Sequence, residues 1–86
     1  MYTKPEPKGY TIYSKSNCPA CNETKKLLPK ATIIDCDEYL DDADEFLDFM
    51  WSLPKADGIT SFPMVFNDGE YVGGYKELCF QTNVDF

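Results

Sequence analysis

Between Tyr10 and Cys36 the chain reads strand, helix, strand in quick succession, and that order leaves few topologies open. "YTIYS" (residues 10–14) is β-branched and aromatic, as strands favour. "CPACNETKKLL" follows, with Pro19 suited to a first helical turn, where its missing N–H costs nothing. Lys25, Lys26 and Lys30 fall where a helix C-terminus welcomes cations, and Pro29 ends the segment. "ATIIDC" (residues 31–36) predicts a second strand, apolar enough to be covered on both faces. Two strands joined through a helix imply a parallel pair with a right-handed crossover.

The remainder fits the same sheet. In "DDADEFLDFMWSL", Ala43, Phe46, Leu47, Met50 and Leu53 recur with helical period, and Asp42 with Glu45 has the spacing of a capping box. The acids of this helix read as its solvated face. "KADG" is a turn. "FPMVFN" and "EYVGG" flank Asn67-Asp68-Gly69, a strong hairpin signal. "YKELCF" predicts a short last helix. The expected fold class is α/β, in the order β-α-β-α-β-β-α, with a four-stranded mixed sheet and three flanking helices. Eighty-six residues suit one domain over 1–86, with residues 1–9 a loose lead-in marked by Pro5, Pro7 and Gly9.

Charge narrows the partners. Fifteen acids against eight bases give a net charge of −7, the wrong sign for nucleic acid or an anionic membrane surface. No apolar run approaches the roughly 20 residues of a membrane span. "MYTKPEPKG" carries no apolar signal-peptide core, so a reducing, cytoplasmic setting is expected.

In such a setting cysteines are more often catalytic, metal-binding or buried than structural disulfides. Cys18 sits after a strand and at a helix start, where unpaired N–H groups and the helix dipole favour a thiolate over a thiol. Lys15 adds a nearby cation. Cys21, three residues on, lies on the same face and can attack a mixed disulfide formed on Cys18. The expected catalytic roles are therefore attack by Cys18 and resolution by Cys21. A structural zinc site would need four ligands, and the chain has no histidine and only two further, isolated cysteines, so no metal is expected. Cys36 and Cys79 read as small buried hydrophobes.

Taken together, "YSKSNCPAC", "SFPMVF" and "YVGGYKEL" resemble the three signature blocks of the glutaredoxins, in order and spacing, from Tyr10 to about Phe80. The resemblance implies the thioredoxin fold and a glutathione-dependent thiol–disulfide oxidoreductase, with glutathione as reductant and glutathionylated or disulfide-bearing proteins as partners of a monomer. It implies that Pro63 is cis and faces the cysteine pair, turning the backbone of Phe62 toward a substrate peptide. Lys15 would take a terminal carboxylate of glutathione, and Gly73 and Gly74 would admit its γ-glutamyl end to the start of the last helix. Ala20, Tyr75 and Lys76 complete the implied binding set, while Tyr13 is expected in the core.

Three positions depart from the family pattern. Ala20 replaces the usual tyrosine and should leave the pocket more open. Met64 stands where a polar residue is common. Lys76 replaces a capping Ser, Thr or Asp, while Glu77 keeps an acid next to it. Two rival readings follow from the same resemblance: an electron donor recharged by thioredoxin reductase, for example toward ribonucleotide reductase, and a dimer bridging a [2Fe–2S] cluster through Cys18 and glutathione.

Overall fold

The computed structural model describes residues 2–81, with side chains through residue 78. Strand β1 (Tyr10–Ser14) leads to helix α1 (Pro19–Leu27), strand β2 (Thr32–Asp35), a single 3₁₀ turn (Tyr39–Asp42) and helix α2 (Ala43–Trp51). Strands β3 (Met64–Asn67) and β4 (Glu70–Gly73) and helix α3 (Tyr75–Gln81) follow. The sheet order is β2-β1-β3-β4. β1 runs parallel to β2, with Ile12 opposite Ile33, and antiparallel to β3, with Tyr13 opposite Met64. β3 turns into β4 through Asp68 and Gly69, both at positive φ (53° and 85°), as a two-residue hairpin turn of the predicted kind requires. Element order and sheet are those the sequence predicts.

Alternation along the central strands sorts the core into two layers. Tyr13, Met64 and Phe66 face Phe46 and Met50 of α2. Ile12 and Val65 face the other way, toward Leu78 of α3 and the partly buried Leu27 at the end of α1. Helices thus cover both faces of the central strands. Asp42 caps α2 as expected, its carboxylate accepting the Glu45 N–H at 3.2 Å. Ala43, expected on the buried stripe, is exposed at the first turn.

Two expectations need correcting. β2 is an edge strand rather than one covered on both faces, and Ile33 is 43% exposed. The next residue, Ile34, points into the core while the alternate face stays open. The lead-in is also tied down. Tyr2 packs edge-on against Tyr39 (4.8 Å between ring centroids) and Phe46 (5.6 Å). Thr3 C=O accepts from the buried Tyr13 hydroxyl at 2.6 Å, which satisfies the one polar atom of that core residue. Gly9 N–H donates to Asp68 Oδ1 at 2.7 Å, and Asp68 N–H returns a bond to Gly9 C=O at 2.9 Å. Pro and Gly spacing signals irregular backbone; the aromatic at Tyr2 is what anchors it. Among the described residues no helix is long and apolar enough to cross a membrane.

Candidate active site

Past Ser14 the chain must turn from strand to helix within four residues. Asn17 does this at φ +55°, a left-handed conformation asparagine tolerates better than most. The turn is held from outside: Ser16 N–H donates to Asp37 Oδ1 at 2.9 Å, and Asp37 N–H donates to Asp35 Oδ1 at 3.0 Å. Cys18 then takes the N-cap position of α1 with extended backbone (φ −128°, ψ 94°). Its Sγ occupies the place a serine or aspartate oxygen usually fills and accepts the Cys21 N–H at 3.2 Å. Pro19 follows as the first helical residue and has no N–H to leave unpaired.

Cys18 and Cys21 are joined as a disulfide, with Cα atoms 5.2 Å apart. Cys18 keeps 9% of its surface open and Cys21 none. An attacking group therefore reaches the Cys18 side of the bond first. The remaining thiol among the described side chains is Cys36, buried as expected; burial, aided by the Asp35 charge, pushes it up to about 12. Cys79 lies outside the described side chains.

Ala20, between the two cysteines, shares a groove with Phe62 and Pro63 of the loop before β3. The Phe62–Pro63 peptide is cis. The Phe62 ring lies parallel to Phe46 (6.1 Å, 5°), and Lys15 Nζ stands 5.9 Å from its centroid. The third side comes from the turn into α3. Gly73 sits at φ +137°, and a Cβ there would run into the side chain of Glu77. At Gly74 a Cβ would lie 3.3 Å from the Pro63 carbonyl, so the two glycines let α3 start close against the Pro63 loop. Glu77 turns back to accept the Gly74 N–H at 3.0 Å through Oε1.

A groove of about 410 Å³ runs between these parts. Of the residues the sequence singled out, Ala20, Phe62, Pro63, Gly74, Tyr75 and Lys76 line it. Gly73 is buried behind it. Lys15 lines a neighbouring polar cleft of about 300 Å³ with Asp35 and Asp37. Tyr13 is fully buried, a core residue as expected. One contributor escaped the sequence reading: Asp37 carries no motif that links it to Ser16. Glu77, noted in the sequence as the acid beside Lys76, also has the spacing of a capping box with Gly74.

A glutaredoxin family model matches residues 10–72. No curated protein sequence matches the chain. Among solved structures, glutaredoxin 1 from Francisella tularensis complexed with cacodylate superposes with a TM-score of 0.73 at 23% identity, over 87% of this chain and 92% of that one. The holo form of glutaredoxin C1 from Populus tremula × tremuloides gives 0.71 at 24% identity, over 88% and 75%. A buckwheat glutaredoxin–glutathione complex gives 0.70 at 23% identity, over 86% and 67%. Those likenesses concern the fold. The match of the family model, which runs from the first residue of β1 into β4, shows that this chain belongs to the glutaredoxins, a family of thiol–disulfide oxidoreductases.

Proposed function

We propose that the protein reduces protein disulfides and glutathione mixed disulfides at the expense of glutathione, with Cys18 as nucleophile and Cys21 as resolving thiol. The observation that carries this reading is the Cys18 sulfur at a helix N-cap, accepting a backbone N–H, with Ala20 two residues on lining a groove. In the reduced protein the same amide would meet a thiolate, which favours the reactive form.

With a glutathionylated substrate, Cys18 thiolate attacks the glutathione sulfur and the substrate thiolate leaves. A second glutathione thiolate attacks that sulfur in turn, releasing glutathione disulfide and regenerating Cys18. With a protein disulfide, Cys21 attacks the Cys18 sulfur of the mixed disulfide, the substrate leaves as a dithiol, and two glutathiones reduce the Cys18–Cys21 bond. Each cycle moves two electrons, and no other oxidant or reductant is needed.

The groove suits a tripeptide: its volume falls in the usual range for small-ligand sites, about 300–1,000 Å³. Lys76 lines the groove and Lys15 stands beside the Phe62 ring on its wall, two cations in an otherwise acidic protein, suited to the carboxylates of glutathione. The fold shared with the buckwheat glutathione complex agrees with this assignment. The proposal keeps the expectation of a cytoplasmic monomer that uses no metal.

A coupled assay tests it. Reduction of a glutathionylated peptide should proceed with glutathione, glutathione reductase and NADPH, and should stop when glutathione is left out. Turnover with thioredoxin reductase and no glutathione would replace glutathione as the electron source. A visible absorbance after anaerobic reconstitution with iron and sulfide, lost in Cys18→Ser, would move the protein to cluster binding.

A further inference from the structure

A lysine on four rotatable bonds does not hold its own charge in place. Lys15 is exposed, and two settings compete for its ammonium. One is the polar cleft it shares with Asp35 and Asp37. The other is the Phe62 ring, over which its Nζ stands at 5.9 Å. The second setting lies just past the paired strands: β1 and β3 pair as far as Tyr13 opposite Met64, and Lys15 and Phe62 each lie two residues beyond that last pair on their own segments. The ring is itself fixed, because it stacks on the fully buried Phe46. It also lines the groove beside Ala20.

We infer that the Phe62 side chain is a positioning residue that acts through Lys15: its ring holds the ammonium at the groove mouth and away from Asp35 and Asp37, so that anionic ligands are favoured at Cys18. The inference deepens the proposed function by assigning the ring a task separate from the Phe62 backbone. An aromatic face attracts a cation through its quadrupole and, unlike a carboxylate, leaves the charge unneutralised. Lys15 can therefore stay ordered and still attract an incoming carboxylate.

The test needs no glutathione, so it stands apart from the coupled assay. In reduced Cys21→Ser protein at fixed pH, the alkylation rate of Cys18 is measured with iodoacetate and with iodoacetamide, following the mass of the peptide that holds it. Both reagents lose iodide to the same thiolate. Their rate ratio cancels the thiolate fraction and reports the charge at the mouth. Lys15→Met should lower the iodoacetate-to-iodoacetamide ratio about 3-fold to 5-fold. Phe62→Leu and Phe62→Met should lower it nearly as much, Phe62→Tyr should keep it, and the Lys15→Met/Phe62→Leu double variant should fall no further than Lys15→Met alone. A ratio unchanged in both Phe62→Leu and Phe62→Met would overturn the inference. So would a double variant whose loss is the product of the two single losses.

Discussion

Cys18 and Cys36 follow neighbouring parallel strands at the same end of the sheet. Cys36 comes directly after β2 and donates its N–H to Ser14 C=O at 2.8 Å, one strand away from the turn that leads to Cys18. Their surroundings diverge from there. Cys18 caps a helix, receives an amide proton on its sulfur, and meets the surface. Cys36 is fully buried among Tyr13, Phe46 and Met64, and its Sγ has the Ile34 carbonyl at 3.6 Å, an acceptor that suits only the protonated thiol. A strand end delivers a cysteine to the site; what points at its sulfur decides what that sulfur does.

The sharpest way to break this contrast is to remove each sulfur in turn. Cys18→Ser should lower turnover in the coupled assay about 1,000-fold or more, whereas Cys36→Ala should leave kcat within about 2-fold. Cys21→Ser should keep reduction of small glutathione mixed disulfides and lose that of protein disulfides. Equal losses for Cys18→Ser and Cys36→Ala would erase the distinction.

A second prediction concerns the packing around Cys36. Phe46 is fully buried and touches Tyr2, Tyr39, Phe49 and Phe62 through ring contacts. Phe46→Ala should cost about 3–5 kcal/mol in urea unfolding.

Alkaline pH gives a third test. The Cys36 thiol titrates near its ordinary value in the unfolded chain, but burial pushes it up to about 12 in the fold. Above the ordinary value the unfolded chain gives up a proton that the native protein keeps. Stability from this group is therefore full below pH 9, the ordinary value of the thiol, and is lost as pH rises toward about 12. The slope is at most about 1.4 kcal/mol per pH unit, and Cys36→Ala should flatten it in unfolding curves taken across that range.

The smallest effect compares two helix caps. Asp42→Ala removes the oxygen that caps α2 and should cost about 1 kcal/mol of stability while leaving the alkylation rate of Cys18 unchanged. A slowed Cys18 would show that the two helices are coupled.

Local chemistry made much of this legible. The bounds of β1, the Asp42 cap, the Asp-Gly hairpin and the strand–cysteine–helix junction each rest on residues close in sequence. The edge position of β2 does not. "ATIIDC" has the same apolar run whether one face or two are covered, and only the pairing of β1 with β3 decides which. The docking of Tyr2 on Tyr39 and Phe46 is likewise long-range, as is the reach of Asp37 to Ser16. In the site, Ala20, Phe62, Pro63, Gly74, Tyr75 and Lys76 share one groove, whereas Lys15 lines another cleft and stands over a ring, a placement no local motif signals.

The reciprocal tie between Gly9 and Asp68 has a practical corollary. It fastens the entry to β1 to the hairpin tip, at the end of β1 and β3 remote from the disulfide. A chemist wishing to graft this molecule onto an electrode could anchor it beside that knot and leave the redox centre pointing into solution.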